Sequence, residues 1–290
     1  MIKIIKNLIA HPMNTHDKMG AIMRFAKWQI NTRLNPHPII YPFTEHSKLL
    51  IAKGLTGATG NLYSGLHEFY DMSFLLHFLR KGDTFVDVGA NIGSYTVLAS
   101  AEIEAFSIAI EPVPTTFNYL KKNIIVNEIN HLVTLVNLGL GRQKGSLKFT
   151  KSLDTENHIA TATDTDTIDV QIDTLDNIIG DNAPTLLKID VEGFETEVLN
   201  GGENTLNKAS LKAIIIELNG EGNRYGYDEN AIHLKLLSKG FVPHRYTPYD
   251  RNLTEITTSK TDNAIYVRDT AFVKDRLRHA RQIKVNQKMI

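Results

Sequence analysis

From residue 84 onward the chain alternates short apolar runs with longer stretches in which apolar residues recur three or four positions apart. That switch of period is the mark of strands feeding helices. The strand runs are Thr84–Val88, Ser107–Ile110, Val133–Asn137, Leu186–Asp190 and Ala213–Leu218, the last apolar at nearly every position, as a strand covered on both faces should be. Helices are predicted from Ser94 onward and over Thr115–Asn127, Glu195–Asn200 and Ala231–Lys239. Gly145–Phe149 and Ile168–Ile172 read as extra strands around a polar loop from Ser152 to Thr167. Phe241–Tyr246 and Ala264–Val267 read as a closing strand pair joined by a variable loop. Repeated alternation of this kind means an α/β domain with a mostly parallel sheet and helices on both sides.

The ends of the chain follow other patterns. Ile4, Ile5, Leu8 and Ile9 share one helical face, and Met19, Ile22, Met23, Phe25, Ala26 and Ile30 another, with Lys and Arg between them. One or two helices packed on the main domain are expected, with a membrane-surface or partner-binding helix as the alternative. Asn35-Pro36-His37-Pro38 ends this pattern. Lys48–Ala52 resembles a short strand, Gly54, Gly57, Gly60 and Gly65 mark a loop-rich stretch, and Glu68–Leu79 reads as a helix closed by Lys81-Gly82-Asp83. Residues 270–290 are a basic tail, expected as a solvated terminal helix, with an anion-binding tail as the alternative. The organisation expected is a helical extension and lead-in over 1–60, a main domain over 61–268 and a basic helix or tail over 269–290. The stretch 150–167 has the length and polarity of a candidate lid.

At 290 residues and 42% hydrophobic content the chain can bury a sizeable core. Lys and Arg number 32 and Asp and Glu 32, so no global field attracts nucleic acid or an acidic membrane. Cysteine is absent, which removes thiol catalysis, disulfides and Cys-based zinc sites together. The apolar start is too short and too interrupted by charge to span a membrane. A cytoplasmic protein without a transmembrane segment or nucleic-acid partner is expected; oligomeric state is left open.

The chemistry concentrates at Thr84-Phe85-Val86-Asp87-Val88-Gly89-Ala90-Asn91-Ile92-Gly93-Ser94-Tyr95-Thr96, a strand, tight turn and helix that bring backbone close to a ligand. The pattern Asp-x-Gly-x-x-x-Gly is neither the dinucleotide fingerprint nor a phosphate-cradling loop. An acid there repels a pyrophosphate and suits a cation. S-adenosyl-L-methionine, with an ammonium, a sulfonium and no phosphate, fits. Glu111 ends the next strand 24 positions after Asp87, where nucleoside-binding sheets place the acid that accepts ribose hydroxyls. The other strand ends carry Asn137, Asp190 with Glu192, and Glu217 with Asn219, most of them expected on one rim. Alternation puts Lys188, Asp190 and Glu192 on one side if the strand continues that far, as a reactive or a merely salt-bridged cluster.

These residues resemble the FkbM family of S-adenosylmethionine-dependent methyltransferases. The likeness rests on Phe85–Gly93, on Ala109-Ile110-Glu111-Pro112 with Asn123 and Asn127, on Asp173-Thr174-Leu175-Asp176, on Leu187–Glu195 with Val198–Gly202, and on Ile216-Glu217. It covers roughly residues 60 to 220. It implies a Rossmann-like class I methyltransferase fold, a seven-stranded mostly parallel sheet with the last strand antiparallel, and O-methylation of a hydroxyl, often on a sugar or natural product. Carried over by position, Asp87, Gly89, Asn91 and Gly93 hold the amino-acid end of the cofactor, with Ala90 and Tyr95 also expected to bind it. Glu111 with Pro112 serves the ribose, Asn137 lies near the adenine, and Asp190 and Glu192, beside Lys188, face the methyl. Glu68 matches a family acid ahead of the first strand.

A sugar hydroxyl needs a base for its proton. Asp190 is the first choice, with Glu192 or His67 as alternatives. No metal is assigned: Asp190, Glu217 and Asn219 could offer oxygens to a magnesium-like ion, but no His cluster or regular ligand spacing supports one. The expected acceptor is a small molecule or glycan. N- or C-methylation of a small molecule or protein, and cofactor binding without turnover, remain as alternatives.

Overall fold

A computed structural model of the protein describes residues 2–35, 37–151, 157–161, 163–257 and 263–290. Its central layer is built from β3 (Thr84–Val88), β4 (Phe106–Ile110), β5 (Val133–Val136), β9 (Leu186–Ile189), β10 (Ala213–Glu217), β11 (Val242–Thr247), β12 (Asn252–Glu255) and β13 (Asn263–Val267). In space the order is β12-β11-β13-β10-β9-β3-β4-β5. Strands β5, β4, β3, β9 and β10 run parallel, and β13 inserts antiparallel between β10 and β11. The sheet therefore has eight strands rather than the seven expected. The additional one is β12, which the loop after β11 supplies as an antiparallel edge.

The chain moves outward from β3 through β4 to β5, then returns to build β9 and β10 on the other side of β3. The β3/β9 boundary is thus the point where winding reverses, and a crevice opens there at the carboxyl ends of the strands. Both faces of this centre are dry. Phe85, Val86, Leu186, Leu187, Ile189, Ala213, Ile214 and Ile216 are fully buried, which is why these runs lack the polar alternation of a half-solvated strand.

The helices are α1 (Ile2–Ala10), α2 (Lys18–Leu34), α3 (Thr56–Ser64), α4 (Phe69–Phe78), α5 (Ser94–Val97), α6 (Pro114–Val126), α7 (Leu175–Ile179), α8 (Glu195–Asn200), α9 (Glu203–Asn207), α10 (Glu229–Ser238) and α11 (Thr270–Arg278). A π-helical turn, Leu98–Glu102, continues α5. Helix α3 stands where the glycines suggested loop, because Ala58, Asn61 and Leu62 bury against the core and tertiary packing overrides poor propensity. The strands β6 (Gly139–Leu140), β7 (Gly145–Thr150) and β8 (Thr167–Asp173) form a separate side sheet with its own core of Phe149, Ile159, Val170 and Ile172. Part of the candidate lid, residues 152–156 and 162, and residues 258–262 of the loop before β13 lie outside the described residues.

The termini pack together. A hairpin of β1 (Ile39–Pro42) and β2 (Lys48–Ile51) meets a C-terminal hairpin of β14 (Lys284–Val285) and β15 (Lys288–Met289) through an antiparallel bridge from Thr44 to Val285. The basic tail is not a solvated helix: Val273, Leu277, Ile283 and Val285 are fully buried in the main core. Two of its cations are paired, Arg276 with Asp83 and Arg281 with Glu102.

Candidate active site

The turn after β3 leaves the sheet at Gly89 with φ of +77°, a left-handed value that glycine adopts without strain. A Cβ at this position would lie 1.8 Å from the carbonyl oxygen of Asp190. The ends of β3 and β9 are therefore as close as two backbones can pass. The N–H groups of Gly89 and Ala90 donate to the Ile110 carbonyl at 3.0 and 2.9 Å, tying the turn to β4. Asn91 is also left-handed, at φ 51°, a conformation Asn tolerates better than most residues.

Around this turn lies a cleft of about 390 Å³. Of the residues singled out in the sequence, Glu68, Gly89, Ala90, Asn91, Tyr95, Glu111, Pro112, Lys188, Asp190 and Glu192 line it. Asp87, Gly93 and Asn137 do not. Asp87 sits within β3 rather than at its tip, is 1% exposed, and accepts from the Thr96 hydroxyl at 2.6 Å, pinning α5 to the strand. Gly93 heads α5 at φ 90°, and a Cβ there would strike Leu120 of α6 at 2.5 Å. Asn137 donates to the carbonyls of Glu111 and Pro112 at 2.8 and 3.1 Å, bracing the end of β4 from behind.

Glu111 is 6% exposed, and its two carboxylate oxygens accept from the N–H groups of Asn91 at 3.0 Å and Val113 at 2.9 Å. Burial pushes its pKa up to about 7, against the pull of those two donors. Carboxylate oxygens have further lone pairs, so both can still accept from a ligand.

Opposite lies a charged wall. Lys188, 3% exposed, donates to Asp190 at 2.8 Å and sits 4.8 Å over the ring of Tyr95. Burial opposes its charge, but Asp190, Asp87 and Glu68 overcome it and hold the ammonium above its ordinary pKa. Strand β9 ends at Ile189, so strict alternation does not carry Glu192 to the rim. A left-handed turn does, with Glu192 at φ 54° and Gly193 at φ 98°. Such a conformation in a non-glycine residue costs on the order of 1 kcal/mol and clusters at functional sites. Carboxylate oxygens of Asp190, Glu192 and Glu217 lie within 4.8 Å of one another. Burial, then the neighbouring acids, raises the pKa of Glu192 and of Glu217. Asp71 behind Glu68 is pushed to about 7 by burial and by Glu68. The pocket is thus short of positive charge.

Sequence reasoning missed the roof. Thr56, Gly57 and Asn61 of α3 line the cleft, as do Leu138, Leu140, Phe149 and Ile159 near the side sheet and Phe194 beyond the Glu192 turn. Asn61 is fully buried and accepts from the His67 N–H at 2.8 Å, so it fixes the segment that presents His67 and Glu68. No periodic signal marks a helix as short and glycine-rich as α3. Glu217 and Asn219, noted as rim residues and as possible oxygen ligands, line the cleft as well.

The family model described as the Methyltransferase FkbM domain matches residues 87–243, just over half of the chain and most of this pocket, though not Glu68 or the part that α3 lines. The chain belongs to that family. The chain is 28% identical over 181 residues to the hexuronic acid methyltransferase AglP of Haloferax volcanii, an alignment covering 61% of this chain and 71% of that one. It is 32% identical over 147 residues to Methyltransferase 1 of Beauveria bassiana, covering 41% and 58%. Among solved structures, the precorrin-6y C5,15-methyltransferase of Geobacter metallireducens overlaps 78% of this chain and 97% of its own, at 15% identity and a TM-score of 0.40. Membership in the FkbM domain family makes the protein an S-adenosylmethionine-dependent methyltransferase.

Proposed function

We propose that the protein transfers a methyl group from S-adenosyl-L-methionine to a hydroxyl oxygen of a sugar, in a glycan or a glycosylated metabolite. The observation that carries this reading is the single cleft in which the Gly89 turn, the buried Glu111 and the Asp190–Glu192–Glu217 acids meet. The donor set suits a ligand with two positive charges and no phosphate. Its acids are crowded and under-neutralised, and Lys188, the one lysine lining it among the described residues, is already engaged by Asp190. The hexuronic acid named for the Haloferax volcanii relative supports a carbohydrate acceptor.

When bound, the sulfonium supplies an activated methyl that leaves with its bonding pair remaining on sulfur. The chain's own residues do the rest. Gly89, Ala90 and Asn91 offer close backbone to the amino-acid end, and Glu111 accepts from the ribose hydroxyls. Leu138, Leu140 and Phe149 provide an apolar face for the base. Asp190 and Glu192 stand where the methyl is presented, and alignment of the acceptor oxygen in line with it supplies much of the rate. Asp190 takes the hydroxyl proton, with Lys188 holding its carboxylate in place at 2.8 Å. Glu68 and Glu217 stabilise the cationic donor.

A screen of nucleotide sugars and glycans for a mass gain of one methylene tests the reaction, and fragmentation of the product locates the methyl on oxygen, nitrogen or carbon. Methylation of hydroxyl-bearing sugars is expected. A product labelled on nitrogen or carbon would overturn the oxygen assignment.

A further inference from the structure

Helix α2 is apolar on two opposite sides. Ala21 and Trp28 are buried toward α3, and Phe25 meets the Tyr63 ring edge-on at 5.2 Å. The far side should then be polar, as on an ordinary surface helix. Instead Met19, Met23, Ile30 and Leu34 are exposed at 71, 50, 58 and 81%. At 3.6 residues per turn these four fall within about 60° of arc, so they form one continuous stripe along the helix. Scattered exposed apolar residues need no explanation, but a rimmed stripe marks an interaction surface.

The rim is cationic. Arg33 and Lys27, both exposed, flank the stripe on its two sides, and Lys18 opens the helix. Residues 1–44 hold six Lys or Arg and a single acid, Asp17. That acid is committed: it caps α2 by accepting from the Gly20 N–H at 3.0 Å and pairs with Arg24 at 3.1 Å. A second copy of the chain is a poor fit for this face, because two-fold pairing would set the cations of one copy against those of the other.

We propose that the outer face of α2 docks on an anionic lipid surface, with Met19, Met23, Ile30 and Leu34 seated at the headgroup boundary and Lys27 and Arg33 on the lipid phosphates. Amphipathic helices with this division lie in the plane of the interface. The inner side of α2 rests on α3, which contributes Thr56, Gly57 and Asn61 to the cleft. Docking therefore holds the cleft one helix away from the surface.

The test is sedimentation of the full chain with vesicles of phosphatidylcholine alone or mixed with phosphatidylglycerol. Binding is expected to the mixed vesicles and to weaken with salt. The double variant Lys27→Gln/Arg33→Gln should lower partitioning about 30-fold, the loss of two near-surface cations. Met23→Gln/Ile30→Gln should lower it at least as far, while Leu237→Gln, an exposed apolar site on α10, should leave it unchanged. Thermal melts check that each variant is folded, and the two double variants probe charge and apolar contact separately. Absence of binding to mixed vesicles, or binding that neither double variant alters, overturns the proposal. So does a dimer in sedimentation velocity that Met23→Gln/Ile30→Gln dissolves while the wild type ignores vesicles.

Discussion

Replacing Glu111 by Gln separates the two tasks of this carboxylate. In the wild type one oxygen accepts from Asn91 and the other from Val113, both at hydrogen-bond distance. The amide keeps one acceptor and turns an N–H toward the other backbone donor, leaving a buried N–H unmet at about 1–3 kcal/mol. Against that, the wild-type carboxyl is shifted from 4.5 to about 7, so ionising it in the folded protein costs roughly 3 kcal/mol, which the variant avoids. The two effects nearly cancel, and the melting temperature of the free variant should stay close to that of wild type. Cofactor binding has no such compensation. Loss of charge-assisted hydrogen bonds to the ribose should weaken binding by roughly 1.5–3 kcal/mol, or about 10–150-fold in Kd. Isothermal titration calorimetry with S-adenosyl-L-methionine, run about a pH unit above the Glu111 value of about 7, measures this directly. Because the folded pKa is raised, the carboxylate is lost as pH falls through about 7. Wild-type affinity should then drop by up to tenfold per pH unit more than the variant's, which keeps the other acids that titrate near 7. An affinity equal to wild type, or a wild-type profile parallel to the variant's, would refute the ribose role.

Asp190→Asn should lower methyl transfer by about 100-fold or more with cofactor affinity retained, because the amide keeps a partner for Lys188 but takes no proton; single-turnover kinetics decide, and unchanged transfer would move the base to Glu192 or His67. Gly89→Ala places a methyl on the Asp190 carbonyl and should destabilise the fold by roughly 2–4 kcal/mol while abolishing cofactor binding, read by chemical denaturation and calorimetry. Asp71 titrates at about 7 when folded against 3.8 unfolded, so the folded state retains a proton that the unfolded chain has released between those values. Stability of wild type relative to Asp71→Asn should therefore fall as pH rises from about 4 to about 7 and level off above, by an amount on the order of 4 kcal/mol; denaturation midpoints across that range give the sign. Methyl transfer should survive chelation by EDTA, and loss reversed by magnesium would make Asp190, Glu192 and Glu217 a metal site instead.

The parallel centre of the sheet was legible because β3, β9 and β10 are buried on both faces, and such strands leave uninterrupted apolar runs. Gly89, Glu111 and Asp190 were legible for a related reason: a tight turn or an acid at the end of such a run has few structural uses. What the sequence hid was set by long-range contact. Asp87 has the composition of a rim residue, yet its place one residue short of the strand tip turns it onto Thr96. Glu192 reaches the cleft through a left-handed turn that no alternation pattern encodes. Helix α3, strand β12 and the docking of α11 owe their form to the surfaces they cover rather than to their own periodicity. Periodicity placed Met19, Met23 and Ile30 on one face of α2 together with Phe25, whereas in the fold Phe25 packs on Tyr63 and the other three are exposed on the opposite side.

The central claim is that an acid-lined crevice at the β3/β9 boundary receives the methyl donor. A crystal structure of the protein with S-adenosyl-L-methionine tests it most directly. The ribose is predicted against Glu111, the methionine end over the Gly89 turn, and the methyl directed toward Asp190 and Glu192. Density for the donor at any other place, or with its ribose away from Glu111, would contradict the account.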